Sequence, residues 1–442
     1  MTTTSLKMNR HFIAPLVFSA LFALILLNSC KKDDYHNGDG KLPSHSSEVL
    51  DKWMTLQLRL MRNATGIANH AFSRHFAYSG ITALEALKPG LNNQYLSWTK
   101  KWNGMTGLPV PGHHKNYYYP ANVNAAMAAI NKAMFPNANA ADKAAIDSLE
   151  AALKQDFAVT QSATLINSSA DFGKAVAAAV FNWAETDGYK NANNLYTIPS
   201  GPGLWKPTPP AFANPATPYW GNNRPIITGS TTNTQPAAPV AYSTDPKSAF
   251  YQMVKQVYDV SQTLTDDQKA MATFWRDVPG ATSPGHWLSI LQQVVRKTNA
   301  PLEKTALAYA LAGSAMNNAL ISCFKAKYQY NLVRPVTYIR EVMGHSTWAS
   351  HLTTPAHPEY LSAHASLSAS TARVLQELFG NIGAFTDRTY DYLGFAPRTY
   401  ASLIDIGTEA GQSRLYAGIH YQPSIDAGIL QGNKVAGNIF NK

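Results

Sequence analysis

Helical periodicity recurs along most of the sequence, and it constrains the fold more than any other feature. Apolar residues three and four positions apart predict one group of helices between residues 47 and 188 and another between 247 and 440. The intervening residues, 189–246, are rich in Pro, Gly, Asn and Thr, which favour loops. We therefore expect a mainly α fold of two packed helical bundles, 46–245 and 246–442, with a long Pro/Gly-rich connecting segment.

The first 30 residues have the pattern of a targeting segment. Lys7 and Arg10 precede an apolar run that ends in the tetrapeptide LNSC at Cys30, which resembles the lipobox of bacterial lipoproteins. The run, residues 12–27, is shorter than the roughly 20 residues that span a bilayer, which disfavours an uncleaved membrane anchor. We predict a signal peptide (1–30), a polar tether (31–45) and an exported lipoprotein, anchored in the outer membrane by lipid on Cys30 and facing the periplasm or the cell surface.

Cysteine content and charge narrow the chemistry. Only Cys323 remains after the signal peptide, so the mature chain forms no internal disulfide and has no cysteine-based zinc site. The net charge of +10 is spread without a lysine or arginine run longer than two, so we expect no nucleic-acid partner. An anionic substrate remains compatible with this charge.

A first cationic motif is KYQYNLVRP, from Lys327 to Pro335. A spacing of seven places Lys327 and Arg334 on one face of a continuous helix, and Pro335 predicts that the helix ends at Arg334. Solvated cations at a helix end are the simpler alternative for this motif alone.

Two further motifs follow. PEYLSAH places Ser362 and His364 at the start of a small-residue helix, where free amides attract anions, although a helix cap is the simpler interpretation of Ser362 alone. SRLYAGIH contains Arg414 and His420, which share one site only if the helix ends between them, as Gly418 allows. Together the three motifs supply cations, a hydroxyl, amides and two imidazoles, a set suited to a tetrahedral oxyanion.

In this order the motifs resemble the superfamily of vanadium-dependent haloperoxidases and type 2 phosphatidic acid phosphatases, with its K-x6-R-P, P-S-G-H and S-R-x5-H pattern. The segments WKPTPP, PYWGNNRP, FWRD and GHW are similar to the bacterial haloperoxidase branch. Membrane phosphatases of the superfamily carry several spanning helices, a pattern that the mature sequence lacks. The resemblance implies that residues 246–442 form the catalytic domain.

The resemblance also implies roles for individual residues. His420 would be the single protein ligand of vanadium, and His364 the acid–base group that helps peroxide bind. Vanadate oxygens would be held by the remaining residues of the motifs: Lys327, Arg334, Ser362, the Ala363 amide and Arg414. The expected reaction is oxidation of iodide or bromide by hydrogen peroxide. In the alternative, phosphate-ester hydrolysis, His420 would form a phospho-histidine.

Two positions depart from the family pattern. Ala363 replaces the usual glycine and adds a methyl group where the backbone approaches the oxyanion. The family often has an aspartate four residues after its histidine, where this chain has Ser424. Either Asp426 substitutes through a shifted turn, or a neutral group holds the His420 ring and its basicity is lower.

Further interpretations stay open at this level. Asp277 in FWRD is a candidate partner of Arg414, and His286 lines the pocket mouth or is a structural histidine beside Trp287. A non-catalytic surface lipoprotein that binds a nutrient is a different class of function, but it leaves the ordered motifs unexplained. A homodimer is compatible with the superfamily, and halide preference cannot be read from the sequence.

Overall fold

A computed structural model describes residues 45–112, 115–278 and 280–441. The predicted signal peptide, Cys30 and all of the tether except residue 45 lie outside the described residues. The described residues group into one compact unit, and the division at 245/246 stays a prediction.

Six helices precede the long loop segment in the described residues: α1 (Glu48–Asn63), α2 (Phe72–Ala86), α3 (Asn93–Thr99), α4 (Tyr119–Met134), α5 (Ala140–Ala158) and α6 (Ala163–Ala184). Asn139 and Ser162 cap α5 and α6, since each side chain accepts a backbone N–H of the first turn. Short 3₁₀ helices lie at Asn69–Ala71, Lys88–Gly90, Tyr189–Asn191, Trp220–Asn222 and Asp391–Leu393. The predicted helical N-terminal half is therefore present.

Eight helices follow the loop segment in the described residues: α7 (Ala249–Gln262), α8 (Asp266–Phe274), α9 (Ser283–Thr298), α10 (Leu302–Tyr330), α11 (Pro335–Glu341), α12 (Ala363–Phe379), α13 (Leu403–Tyr416) and α14 (Gln422–Phe440). Two three-residue strands, β1 (Phe385–Asp387) and β2 (Arg398–Tyr400), pair antiparallel with Phe385 opposite Tyr400. The sequence predicted no strand, because a three-residue strand is too short to show alternation.

Helix α10 forms the centre of the fold and packs against both α2 and α12. It is long and apolar enough to cross a membrane by composition, but its apolar window is entirely buried within the protein, as in a core helix. The predicted end at Arg334 is wrong. The helix ends at Tyr330 because Asn331 adopts a left-handed conformation (φ 45°), so Arg334 instead precedes α11.

Helices α12 and α14 approach until their backbones touch. A Cβ on Gly432 would lie 2.2 Å from the Ser366 carbonyl oxygen, and one on Gly428 would lie 2.7 Å from that of Ser362. Only glycine permits this approach, which places the start of α12 against the start of α14. The Ser362 amide donates to the Ser424 carbonyl at 3.1 Å and joins the same two helix starts.

The long loop segment packs onto this helical core. Trp205 and Trp220 are buried, and the Trp205 amide donates to the carbonyl of Asn331, just beyond the end of α10. The Ala216 amide donates to the Ala356 carbonyl at 2.8 Å. The segment thereby forms one wall of a cavity beside the start of α12.

Candidate active site

A cavity of about 530 Å³ lies where the long loop segment, the α8–α9 connection, the start of α12 and the loop between α13 and α14 meet. Of the residues predicted for the site, five line it: Asp277, Ala363, His364, Arg414 and His420. The other three are buried and do not line the cavity, but hydrogen bonds join them to the segments that form the lining: Lys327, Arg334 and Ser362. The three motifs therefore meet, as their joint presence predicted.

The His420 ring is held by a glutamate that sequence reasoning missed. Glu359 Oε1 lies 2.7 Å from His420 Nδ1 and also accepts the Tyr421 amide at 3.0 Å. Glu359 Oε2 accepts the Ser424 hydroxyl at 2.5 Å. Glu359 itself is completely buried, so it holds the loop between α13 and α14 through these three contacts.

Both interpretations of the missing family aspartate are thus wrong. Asp426 is exposed and accepts a hydrogen bond from Gln422, away from the ring. A carboxylate rather than a neutral group contacts His420, but it comes from PEYLSAH, before α12. Ser424, at the position of the family aspartate, contributes by donating to Glu359. The available signal was a glutamate in an otherwise uncharged motif.

The neighbours of His420 determine its tautomer. Arg334 Nη1 lies 3.2 Å from Nε2, and because a guanidinium only donates, Nε2 must carry the lone pair. The proton then sits on Nδ1 and is donated to Glu359. Burial lowers the pKa of His420 well below its usual value, so the ring is neutral near pH 7 with Nε2 available as a ligand or nucleophile.

The first motif forms the rear of the site. Arg334 also donates to the carbonyls of Ile419 (2.8 Å) and His357 (2.9 Å), and to His357 Nδ1 at 2.9 Å. Lys327 Nζ donates to the carbonyls of Pro358 and Glu359, both at 2.9 Å. These contacts fix the segment that carries Glu359 relative to the loop that carries His420.

The second motif begins α12 as predicted. Ser362 caps the helix, and its Oγ accepts the Ala365 amide at 3.4 Å. The amides at the start of a helix have no intrahelical acceptor and carry the positive end of the helix dipole. Ala363 lines the cavity at this point, so its methyl group lies on the wall where the family has glycine.

His364 belongs to a second cluster on the opposite side. Its Nε2 lies 3.0 Å from the Trp275 carbonyl oxygen and 2.8 Å from Ser283 Oγ. A carbonyl only accepts, so the proton sits on Nε2 and the lone pair on Nδ1. Burial lowers the pKa of His364 well below its usual value. The neutral ring can therefore accept a proton through Nδ1 near pH 7.

Asp277 lies beside His364 rather than in direct contact with Arg414. Its Oδ2 is 3.6 Å from His364 Nε2, and its Oδ1 accepts the Ser283 amide and hydroxyl. Arg414 donates to Ser413 Oγ and to the Ala272 carbonyl. Burial lowers the pKa of Arg414 to about 10, and the charge of Asp277 opposes that shift at longer range.

His286 is a structural residue and does not line this cavity. Its Nε2 lies 2.6 Å from Asp387 Oδ2, and its ring stacks on Trp275 at 4.2 Å between centroids. Because Trp275 accepts from His364, His286 supports the site from behind.

The residues fit a tetrahedral oxyanion. Arg334 and Arg414 donate to carbonyls, imidazoles and a hydroxyl, so among the described residues no carboxylate compensates their buried charges directly. Burial lowers the pKa of both guanidinium groups to about 10. An anion among the guanidinium groups, the helix-start amides and the Nε2 lone pair of His420 would supply that compensation. Among the described residues, no group of three or more His, Cys, Asp or Glu could hold a bare metal ion.

Comparisons with known proteins show which folds this chain resembles. Residues 307–442 match the family model described as the VCPO second helical-bundle domain. The fold is similar to that of a bacterial vanadium-dependent iodoperoxidase, with 31% identity over 90% of this chain and 97% of that chain and a TM-score of 0.78. It is also similar to a holo-type bacterial vanadium-dependent chloroperoxidase, with 16% identity over 90% and 97% of the two chains and a TM-score of 0.65. No curated protein sequence gave a significant match.

Proposed function

Because the chain belongs to the vanadium-dependent haloperoxidase family, we propose that it uses vanadate, held at His420, to oxidise a halide with hydrogen peroxide. The overall reaction is H₂O₂ + X⁻ + H⁺ → HOX + H₂O. The observation that carries the proposal is the Nε2 lone pair of His420, fixed by Glu359 and Arg334 and surrounded by buried cations.

Vanadate would be held by the residues that the motifs identify: His420 through Nε2, with Lys327, Arg334, Arg414, Ser362 and the Ala363 amide around its oxygens. When bound, vanadate supplies Lewis acidity that makes peroxide electrophilic towards a halide. The chain supplies charge compensation and orientation. Glu359 keeps the proton on Nδ1 of His420, so that Nε2 stays free to coordinate.

His364 is the proposed proton acceptor for incoming peroxide. Its Nε2–H is engaged by Trp275 and Ser283, which leaves Nδ1 as the basic atom of this cavity-lining ring. Because burial lowers its pKa well below the usual value, it is unprotonated near pH 7 and passes on an accepted proton readily. Asp277, 3.6 Å away, would stabilise the cation that forms in between.

Iodide is the halide that we propose first. Iodide is the easiest of the three halides to oxidise, with bromide next and chloride last. The solved structure with 31% identity to this chain is that of an iodoperoxidase, whereas the chloroperoxidase has 16% identity.

Vanadate add-back tests the proposal. The purified protein is stripped of oxyanions and supplied with vanadate, and peroxide-dependent oxidation of iodide and bromide is measured beside hydrolysis of a phosphate ester. We expect halide oxidation only with vanadate. Robust ester hydrolysis without any vanadate-stimulated halide oxidation would overturn the proposal.

Phosphate-ester hydrolysis is the second candidate, and one observation favours it. The absence of the family aspartate argued against a strong histidine nucleophile, but Glu359 supplies that carboxylate at 2.7 Å. Phosphate also has the tetrahedral geometry that the site fits. We therefore expect slow ester hydrolysis in the vanadate-free protein, abolished by His420→Ala.

We also propose export as a lipoprotein anchored in the outer membrane through Cys30, on the strength of the LNSC sequence alone. Labelling of expressing cells with a palmitate analogue should modify the wild-type protein and leave Cys30→Ser unlabelled. Equal labelling of both would exclude this anchor.

A homodimer is proposed from the superfamily resemblance. Light scattering of the chain from residue 31 onward tests this proposal.

A further inference from the structure

We propose that Arg276 forms a halide subsite on the His364 side of the cavity. The inference rests on the proposed haloperoxidase function and assigns a residue that the three sequence motifs do not contain. It concerns binding of the anion before it is oxidised.

The guanidinium of Arg276 has fewer polar partners within the protein than that of Arg414. Of the two arginines that line the cavity, Arg414 donates to Ser413 and to the Ala272 carbonyl. Arg276 makes no ion pair with a carboxylate of the described residues, and its buried Nε has no hydrogen-bond partner among them. The guanidinium lies over the ring face of Phe395, at 5.2 Å, and its charge opposes the rise that burial causes in the pKa of Tyr390. No carboxylate among the described residues neutralises this charge, so it stays available to an anion.

Arg276 lies beside the residues that we propose for proton transfer, where the halide would be oxidised. The next residue, Asp277, lies 3.6 Å from His364 Nε2, and both residues line the cavity together with Arg276. The cavity wall is otherwise largely apolar and includes Pro209, Leu352 and Ile419. The charge of Arg276 adds to that of Arg414 in this wall, and a concentration of positive charge in a largely apolar cavity raises the local concentration of anions.

The chemistry of a guanidinium group favours a large, polarisable halide. A guanidinium is more weakly hydrated than an ammonium, so it exchanges water for a weakly hydrated anion at low cost. Iodide and bromide match this description better than chloride. The subsite therefore predicts that halides compete for Arg276 in the order of ease of desolvation, independently of their ease of oxidation.

Steady-state kinetics of Arg276→Gln with vanadate-loaded protein test the subsite. We expect the KM for iodide to rise about tenfold with kcat nearly unchanged, which is the signature of lost binding rather than lost chemistry. The KM for peroxide and the Kd for vanadate should stay at wild-type values. Arg276→Lys, which keeps the charge but not the planar fork, should give a smaller increase in the iodide KM.

Arg62→Gln is the matched control. Arg62 also lies over an aromatic ring, that of Tyr392 at 5.1 Å, but it is exposed and does not line this cavity. Its iodide KM should equal that of the wild type. An equal rise in both variants would show a general effect of surface charge and overturn the subsite.

Anomalous X-ray scattering from crystals soaked in iodide gives a second readout, independent of turnover. Iodide is expected beside Arg276 in the wild type and absent there in Arg276→Gln. If the wild type oxidises iodide but the variant keeps its KM and its iodide peak, the subsite is wrong and the function stands. If the wild type shows no vanadate-dependent oxidation, the proposed function fails, and the iodide peak alone decides whether Arg276 binds anions.

Discussion

Replacing Glu359 with glutamine removes one buried negative charge while keeping the size of the side chain. In the wild type this carboxylate accepts from His420 Nδ1, the Tyr421 amide and the Ser424 hydroxyl. A hydrogen bond to a charged group contributes about 1.5–3 kcal/mol and a neutral one about 0.5–1.5 kcal/mol. The His420 contact alone should therefore weaken by about 1.4 kcal/mol, which corresponds to about a tenfold higher Kd for vanadate. Glu359→Ala leaves three buried donors unsatisfied and should raise that Kd about a hundredfold and lower the free energy of unfolding by about 3 kcal/mol.

Calorimetric titration of the vanadate-free protein measures the Kd, and urea denaturation measures the free energy of unfolding. Asp426→Asn is the control, because Asp426 is the carboxylate that the sequence suggested and is exposed in the structure. It should bind vanadate like the wild type. The pH dependence of turnover distinguishes a role of Glu359 in positioning His420 from a role in stability alone. Glu359→Gln should shift this pH dependence while the fold stays unchanged. Wild-type affinity in Glu359→Gln combined with weakened binding in Asp426→Asn would show that Glu359 is not the carboxylate that positions His420.

Burial lowers the pKa of Lys327. At a pH above this lowered pKa, binding of an oxyanion requires Lys327 to take up a proton, so the affinity for vanadate should fall as pH rises. Vanadate titrations over pH 6–9 should show this fall, and Lys327→Met should flatten it. Asp387→Asn removes the anionic partner of buried His286. Urea denaturation should show a loss of about 3 kcal/mol in the free energy of unfolding, while the affinity for vanadate stays unchanged. Wild-type stability would contradict the pairing. Interactions with His286 and Thr389 outweigh burial and lower the pKa of Asp387, so its contribution to stability is present above the ordinary aspartate pKa and is lost as pH falls through its lowered value. Gly432→Ala places a Cβ 2.2 Å from the Ser366 carbonyl oxygen and should destabilise by about 2 kcal/mol or more; an unchanged melting temperature would show that α12 and α14 separate freely.

The helical class and the meeting of the three motifs could be predicted because both depend on local signals. Periodicity indicated α12 and α13, and Gly418, at φ 74°, ends the turn that brings Arg414 and His420 into one cavity. The end of α10 could not be predicted from Pro335. Asn331 takes a left-handed conformation that an asparagine tolerates but does not require, so the helix stops four residues earlier.

Glu359 escaped sequence reasoning for a different physical reason. The resemblance places the family aspartate four residues after the histidine, so the expected position was local, at Ser424. In the structure the carboxylate comes from a segment 61 residues away, brought in by the contact between the starts of α12 and α14. Arg276 is similar, because only the structure shows that it lines the cavity and that its Nε has no partner among the described residues. Local patterns therefore identified most residues of the candidate site, and tertiary contacts identified those that act on them.

Equilibrium dialysis of vanadate against the wild type, His420→Ala and His364→Ala tests whether His420 is the vanadate ligand. We expect one vanadate per chain in the wild type, none in His420→Ala, and near wild-type binding with impaired iodide oxidation in His364→Ala. Retained vanadate in His420→Ala, or equal loss in both variants, would contradict the assignment of His420 as the ligand.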